Sequence, residues 1–292
     1  MTRIPDATFL NDFRRCPEYA RLRHEHGLKR PGREDAPAAG SAWHAAMYEW
    51  FEDAGLDAAL QALRDNWGAE VALEAPDAKR PLGQFEAMLS AYAETYPRAD
   101  DPFEVLRNET YIGGTILLVN NPAFDWCAII DRKIRYADGG NYIMDTKTTS
   151  GWLNGSYWAG FERSVQLIGG CALELVHGHE CDGFLIDAVH VDTRYHKVKS
   201  EHFVRFGPVR VPDWKLSDWA RTVEQAMRSY HDCLDRFGLE QRWPQHEASC
   251  YSWNRPCPFR DVCDVPSEMM EDMLQTYVVE KWEPKEVARN VL

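Results

Sequence analysis

The chain has 292 residues, of which 45% are hydrophobic and 27% are charged, and its formal net charge is −13. This length allows one large domain or two small ones with an ample core, and the composition is that of an ordinary globular protein. The acidic balance argues against simple nonspecific nucleic-acid binding, which needs clustered Lys and Arg. It does not exclude a site whose carboxylates hold divalent cations, because a bound cation inverts the local charge.

No apolar run approaches the roughly 20 residues that a membrane-spanning helix needs. Residues 1–6 also lack the apolar segment of a signal peptide. We therefore expect a cytoplasmic protein with no membrane partner, in which thiols stay reduced. The eight cysteines are then expected to be metal ligands or core residues and not disulfides.

The first third of the chain, residues 8–100, is predicted to be mainly helical. Residues 8–26 favour a helix, residues 31–39 favour a loop rich in Pro, Gly and Ala, and a second helix is predicted from near Ser41. Apolar residues of that helix recur at helical spacing: Trp43, Met47, Trp50 and Phe51. Residues 56–96 continue the amphipathic helical pattern, with interruptions near Pro76 and Pro81.

From residue 103 the pattern predicts strands and then alternates with helices. Three strands with short turns are predicted in this order: residues 103–119 with a bulge or turn at Gly113-Gly114, residues 124–136 after a turn at 120–122, and residues 142–148 after a hairpin turn at Asp138-Gly139-Gly140. A helix over 157–177, strands over 183–191 and 202–206, and a long helix from about Asp213 to Gly238 follow. This order predicts an α/β fold with a mixed sheet flanked by helices.

The third strand carries the triplet Asp145-Thr146-Lys147. Residues two apart on a strand face the same way, so Asp145 and Lys147 are expected side by side. Asp131, on the preceding strand, is expected at the same point across a short hairpin. Two carboxylates and a lysine are costly to bury without a purpose, but such carboxylates suit a hard cation such as Mg²⁺ or Mn²⁺. The alternative is an exposed hairpin with ordinary surface charges, but Ile143 on the same face favours an interior strand.

This pattern, with Asp131 in Ala128-Ile129-Ile130-Asp131-Arg132 and a helix that bears Gln166 after the triplet, resembles the PD-(D/E)xK nuclease superfamily. It is similar in particular to the RecB-type exonuclease branch, which has a histidine on an upstream helix, matched here by His44. The resemblance implies a restriction-endonuclease-like mixed central sheet flanked by helices. It also implies the site residues: metal ligands His44, Asp131, Asp145 and the Thr146 carbonyl, a frequent family acid at Glu109, the catalytic Lys147, and Gln166 to orient the lysine or the DNA.

Two positions depart from the family pattern, and two of the matches have plainer alternatives. Ala128 stands where the family often has glycine, and Gly170 stands where it often has a tyrosine after the glutamine. His44 could instead be a packed helix histidine, and Gln166 could be a glutamine on a helix surface.

Three cysteines lie close together near the C-terminus, and a fourth precedes a basic helix near the N-terminus: Cys250, Cys257, Cys263 and Cys16. Cubane clusters usually take four thiolates, whereas zinc, the rival metal, more often uses CxxC pairs that are missing here. The layout resembles iron–sulfur RecB-type nucleases, including the AddB nuclease domain and the CRISPR-adaptation nucleases. That resemblance implies a [4Fe–4S] cluster that ties the chain ends together. The remaining cysteines are predicted to be structural: Cys127, Cys171, Cys181 and Cys233.

The basic residues near Cys16 have two possible roles. They form either a solvated helix face followed by a loop, or a patch that contacts phosphates; they are Arg14, Arg15, Arg21, Arg23, Lys29, Arg30 and Arg33. In the second case Arg14, Arg15 and Arg21 would bind DNA.

Taken together, the resemblance implies a single nuclease domain over residues 1–292, with a helical region at 8–100, a nuclease core at 103–240 and a cysteine tail at 243–292 that joins Cys16. It implies a metal-dependent DNA exonuclease for single strands or ends, in recombination, repair or other DNA processing. The chain has no phosphate-binding loop of the Gly-x4-Gly-Lys-Ser/Thr type, so a helicase or other processing partner would be separate. The alternatives are a DNA-end-binding subunit of a larger complex, such as one for CRISPR adaptation, and an iron–sulfur regulator.

Overall fold

A computed structural model describes residues 4–31, 35–67, 81–118, 121–191, 198–252, 255–281, 284–288 and 290–291. Its α-helices are α1 Ala7–Arg15, α2 Pro17–Ala20, α3 Asp35–Phe51, α4 Leu56–Trp67, α5 Leu82–Thr95, α6 Gly155–Ala159, α7 Val165–Val176, α8 Asp213–Phe237, α9 Arg260–Cys263, α10 Ser267–Leu274 and α11 Pro284–Val287. Its strands are β1 Leu28–Lys29, β2 Phe103–Leu118, β3 Asn121–Tyr136, β4 Asn141–Thr149, β5 Gly183–His190, β6 Phe203–Arg210, β7 Tyr251–Ser252, β8 Arg255–Pro256, β9 Val278–Val279 and β10 Asn290–Val291. The predicted interruption near Pro76 lies outside the described residues.

The central sheet has the strand order β10-β2-β3-β4-β5-β6. Antiparallel pairing joins β2 to β3, β3 to β4 and β5 to β6. The pairing of β4 with β5 is parallel, and α6 and α7 form the crossover between these two strands. The predicted α/β fold with a mixed central sheet flanked by helices is therefore confirmed.

Helices cover both faces of this sheet. One hydrophobic cluster joins the sheet to α1, α7 and α8 and contains Ile143 and Trp219. A second cluster joins the other face to α3, α4 and α5 and contains Met144 and Trp43. Because Ile143 and Met144 alternate between the two clusters, β4 is buried on both faces, as expected for an interior strand.

The predicted helix over 8–26 is interrupted at Cys16. Cys16 has an extended backbone (φ −166°, ψ 116°), so α1 ends at Arg15 and α2 begins at Pro17. The reason is steric, because a proline ring disfavours the helical conformation of the residue before it. The break turns Cys16 out of the helix, and a π-helix, Arg21–Glu25, follows α2.

Two other helix boundaries also differ from the prediction. Helix α3 begins at Asp35 and not near Ser41, so part of the predicted loop at 31–39 is helical. Pro37 is tolerated there because N–H groups in the first helical turn have no partners within the helix. The predicted helix over 157–177 is divided into α6 and α7, and the Ser164 hydroxyl accepts the Leu167 N–H at 3.3 Å as the N-cap of α7.

The predicted bulge or turn at Gly113-Gly114 is wrong. These glycines pair with Cys127 and Trp126 in regular register, and the register shifts lie between Val105 and Arg107 and between Ile116 and Leu118. Strand β3 already begins at Asn121, so the predicted turn at 120–122 is at most partly correct. The irregularity in the middle of β2 is instead at Glu109, whose φ of 30° lies in the left-handed region that favours glycine.

Strands β2 and β3 change face near Glu109. Ile130 and Ile134 would share a face in a regular strand, yet Ile130 packs with α7 and Ile134 packs with α3. In the neighbouring β2, Ile112 packs with α7, whereas the Asn108 amide donates to the Tyr48 carbonyl of α3 at 3.0 Å. Asp131 lies at this change of face and can therefore reach α3.

Candidate active site

The site forms where β3 and β4 separate. Their ladder pairs residues 132–135 with residues 141–144 and ends just before Asp145. Beyond this point the Thr146 N–H donates to Asp131 Oδ2 at 2.8 Å instead of to a strand carbonyl. The two aspartates predicted from the sequence therefore lie next to each other at the end of a broken ladder.

Asp145, Lys147 and Gln166 form a closed set of contacts. Lys147 Nζ lies 2.6 Å from Asp145 Oδ2 and donates to Gln166 Oε1 at 3.2 Å. Gln166 Nε2 donates to Asp145 Oδ1 at 3.0 Å. The glutamine thus fixes both the carboxylate and the ammonium, and Lys147 keeps 28% of its side chain exposed.

His44 extends the site to the other helical layer. Its Nδ1 atom lies 3.2 Å from Asp131 Oδ2, and 36% of its side chain is exposed. It is therefore neither packed in the core nor isolated on the surface. The structure brings together all the side chains that the sequence suggested for the centre of the site: His44, Asp131, Asp145, Lys147 and Gln166.

The two aspartates have opposite pKa shifts. Burial favours the neutral form of each carboxyl group, but His44, Arg132 and Lys147 outweigh burial at Asp131 and lower its pKa. At Asp145, burial and the Asp131 charge outweigh Lys147 and raise the pKa. Carboxyl groups whose pKa values are driven apart in this way are typical of functional sites.

The pKa values of both basic groups of the site are raised. Burial lowers the pKa of Lys147, but Asp145 and Asp131 outweigh burial and raise it. Burial likewise lowers the pKa of His44, and Asp131 reverses that effect. Lys147 is therefore a cation at neutral pH.

Two glycines allow α7 to approach the sheet closely enough for Gln166 to reach Asp145. A Cβ atom at Gly169 would lie 2.5 Å from Trp126 Nε1, and one at Gly170 would lie 2.8 Å from Ile143 Cδ1. The close packing explains the departure from the family pattern at Gly170. A tyrosine there would force the helix away from β4.

Glu109 lies beside this centre. The register of β2 and β3 places it opposite Asp131. Its positive φ costs conformational energy, and strained residues of this kind cluster at active sites.

Two residues near the site were missed by the sequence analysis. The Arg132 guanidinium donates to the Thr146 hydroxyl and lies 4.2 Å from the centre of the Phe51 ring, so it ties β3 to β4 and α3. Burial raises the pKa of Tyr157, Lys147 lowers it and Asp145 raises it. The Tyr157 hydroxyl therefore lies close enough to the site to interact with its charges. Arg132 could have been noticed as the neighbour of Asp131, but no sequence signal indicated Tyr157.

The donor set suits a hard divalent cation. Carboxylates and carbonyls are the ligands that Mg²⁺ and Mn²⁺ prefer, and imidazole is compatible with Mn²⁺. Asp131 and Asp145 now contact His44 and Lys147. A cation would have to displace these contacts. Within the described ranges no three His, Cys, Asp or Glu side chains are already spaced to hold a metal ion.

The four cysteines of the predicted cluster line one cavity. They are Cys16, Cys250, Cys257 and Cys263, and none of them is in a disulfide. Burial raises the pKa of the Cys263 thiol to about 12, with further contributions from Glu18, Cys257 and Cys16. The pKa of Cys257 is raised by burial and also by Cys16 and Cys250, so the thiols lie within electrostatic reach of one another, although the described residues contain no group already spaced to hold a metal.

The basic stretch near Cys16 mainly binds the C-terminal segment. Arg21 is 1% exposed, pairs with Glu18 at 2.7 Å and donates to the Leu239 carbonyl at 2.6 Å. A buried side chain with these partners cannot contact DNA, so the structure contradicts that role for Arg21. Lys29 pairs with Glu280 and Arg30 pairs with Asp261.

The other two arginines suggested as DNA contacts are more accessible. Arg14 is exposed and donates to the Thr222 carbonyl at 3.1 Å. Arg15 is half-buried, lies 5.0 Å from the Tyr19 ring centre and lines the cysteine cavity. Arg33 lies outside the described residues.

The sequence model of the PD-(D/E)XK nuclease superfamily matches residues 7–264, and the chain therefore belongs to this superfamily. Membership implies a divalent-metal-dependent nuclease. No curated protein matches the chain significantly. A solved structure described as "Crystal structure of SSO0001" is similar at 11% identity over 80% of this chain and 87% of that chain, with a TM-score of 0.36. This score is too low to support an argument about function.

In the part of the chain that the structure describes, no helix has the length and apolar character needed to cross a membrane.

Proposed function

We propose that the protein is a metal-dependent DNA exonuclease of the RecB type, acting on single strands or DNA ends in recombination, repair or other DNA processing. The observation that carries this proposal is the contact set of Asp145, Lys147 and Gln166 beside Asp131. A cytoplasmic location and a separate helicase or other processing partner belong to the same proposal.

The proposed roles of the side chains follow from their charges. His44, Asp131, Asp145, the Thr146 carbonyl and Glu109 would hold Mg²⁺ or Mn²⁺, which when bound would polarise the phosphodiester and acidify a water molecule. Lys147, held as a cation by the aspartates, would stabilise negative charge on the phosphodiester or position the water. Gln166 would keep the lysine and Asp145 aligned.

The exonuclease claim is tested by comparing linear and circular single strands of one sequence in Mn²⁺. An exonuclease needs an end, so we expect the linear strand to be shortened and the circular strand to stay intact. Cleavage of the circle at a similar rate would contradict the exonuclease claim and indicate an endonuclease. If neither strand is cut under any divalent metal but the linear strand is bound in preference to the circular one, the alternative of a DNA-end-binding subunit, such as one for CRISPR adaptation, is favoured.

We also propose that Cys16, Cys250, Cys257 and Cys263 hold a [4Fe–4S] cluster. This proposal is supported by the shared cavity and by the chemistry of four thiols, which when deprotonated are preferred ligands of iron–sulfur clusters. Anaerobically purified protein should be brown and contain about four irons per chain, and Cys16→Ser should lose the iron while the buried Cys127→Ser retains it. Colourless protein with stoichiometric zinc would replace the cluster with a zinc site.

A further inference from the structure

A second pocket opens beside the active site, at the carboxyl ends of the parallel strands β4 and β5. Its volume is about 250 Å³, against the roughly 10–15 Å³ that one water molecule requires. It is therefore large enough for an organic group. Its lining residues are Trp152, Leu153, His190, Lys199, Glu201 and His202.

The pocket is built around aromatic rings. The Trp152 ring lies 5.5 Å from the His190 ring at 37°, and the His190 ring lies 5.8 Å from that of His202. His190 is 6% exposed, whereas Trp152 is 64% exposed. The backbone N–H of Lys199 donates to His202 Nδ1 at 3.1 Å, which fixes that ring. The buried His190, in contact with His202, thus supports a tryptophan whose other surface is open.

The pocket lies on the same face of the sheet as the catalytic lysine. In the parallel register, Lys147 pairs with Ala188 and Thr149 pairs with His190. Ala188 packs with α7, so His190, two residues further, shares the face of Lys147. His190 is offset from Lys147 by two residues along the strand and by one strand. With a rise of about 3.3 Å per residue and a strand spacing of about 4.8 Å, the Cα atoms of Lys147 and His190 are roughly 8 Å apart.

The charges of the described lining residues favour a neutral planar group over a phosphate. Among these residues the lysine is Lys199, which pairs with Glu201 at 3.3 Å, and the Glu201 carboxylate would repel a phosphate. An exposed indole binds flat π-systems, and base-on-aromatic stacking is the usual way in which proteins hold single-stranded nucleic acids without reading their sequence.

We propose that Trp152, backed by His190, stacks a nucleobase of the substrate strand close to the scissile phosphodiester. This subsite rests on the proposed nuclease function and adds to it that the substrate is a single strand whose base is unpaired at this position. Stacking would fix the strand relative to Lys147 through a base. Because this contact does not involve the phosphates, it would hold the strand despite the acidic surface of the protein.

The test is a binding measurement by fluorescence anisotropy in EDTA, which prevents cleavage. The probes are a labelled single-stranded oligonucleotide and a series in which one base at a time is missing. For the wild type, we expect one position where loss of the base weakens binding by about 5- to 150-fold. Trp152→Ala should weaken binding of the intact strand by a similar factor and abolish the sensitivity at that position.

Two further variants separate stacking from general effects. Trp152→Phe keeps an aromatic face and should restore most of the affinity. Trp214→Ala removes another exposed tryptophan, 59% exposed. Trp214 follows the end of β6, which pairs with the start of β5 and not with the His190 end. This variant should bind as the wild type does.

The proposal is overturned if Trp152→Ala keeps the wild-type affinity and base profile, or if the wild type binds no single strand. Failure of the nuclease proposal has a different signature, because the wild type would then bind the strand in EDTA but leave it uncut in Mn²⁺. Circular dichroism of each variant should match the wild type, since both tryptophans are largely exposed.

Discussion

At the scale of single residues, the site depends on two carboxyl groups with different surroundings. Asp131 accepts a backbone N–H and faces His44, and its pKa is lowered. Asp145 is 5% exposed, and burial raises its pKa. Gln166 contacts both Asp145 and Lys147 without adding charge to the site. It is therefore a positioning residue.

Gln166→Ala should therefore slow cleavage without abolishing metal binding. Hydrogen bonds to charged groups are worth about 1.5–3 kcal/mol, so we expect a rate about 10- to 150-fold lower. The measurement is the single-turnover rate in Mn²⁺, with Gln225→Ala, an exposed glutamine on α8, as the control. Equal rates for the two variants would mean that Gln166 does not position the lysine.

At the scale of secondary-structure elements, the packing of α7 on the sheet decides whether Gln166 reaches its partners. Gly169 and Gly170 let the helix approach Trp126 and Ile143. An added methyl group at Gly169 must displace an indole that is fully buried. Stability and catalysis are thus both expected to depend on this contact.

Gly169→Ala should lower the free energy of unfolding by about 1–3 kcal/mol, the usual cost of overpacking a core. Gly83→Ala is the matched control, because Gly83 lies in α5 and a methyl group added there would meet no other atom within 4 Å. That substitution should raise the free energy of unfolding by up to about 1 kcal/mol, since alanine is the better helix former. Urea unfolding measures both, and equal effects would show that α7 can move away from the sheet without cost.

The sequence predicted most elements but not their breaks. Alternation and periodicity located β2 to β5 and α8, because burial on one or both faces leaves a regular pattern. The divisions at Cys16 and at residues 160–164 were missed because apolar spacing continues across them while local steric and capping effects end the helices. Pro17 and Ser164 were the available signals.

The candidate site was predictable in part for a similar reason. Asp131, Asp145 and Lys147 have a fixed order and spacing on adjacent strands. The change of face at Glu109 and the broken β3–β4 ladder depend on tertiary packing, and so does the approach of Tyr157. The burial of Arg21 was also not evident, because its partner Leu239 lies far along the chain.

At the scale of the whole molecule, polar contacts already join the chain ends around the cysteine cavity. Glu18 is 1% exposed, accepts two hydrogen bonds from Arg21 and accepts the Trp243 N–H at 2.8 Å. The Ser249 hydroxyl donates to the Arg15 carbonyl at 2.7 Å. The cysteines would therefore reinforce an interface that ordinary hydrogen bonds define.

Glu18→Gln should lower the free energy of unfolding by about 3–5 kcal/mol, because it leaves the buried Arg21 charge without its partner. Glu280→Gln removes an exposed ion pair with Lys29 and should cost less than about 1 kcal/mol. Both are measured by urea unfolding at pH 7 under the same metal conditions. A small effect at Glu18 would mean that the buried Glu18–Arg21 pair does not stabilise this interface.

The central claim is that the charged set around Asp145 cleaves nucleic acid, and its most direct test is Lys147→Ala. An end-labelled single strand is incubated in Mn²⁺ with the wild type, with Lys147→Ala, and with Lys215→Ala on α8 as the control. We expect the wild type and Lys215→Ala to shorten the strand at similar rates, and Lys147→Ala to be slower by about 100-fold or more, the usual cost of losing one group that stabilises the transition state. Cleavage by Lys147→Ala at the wild-type rate would contradict the account.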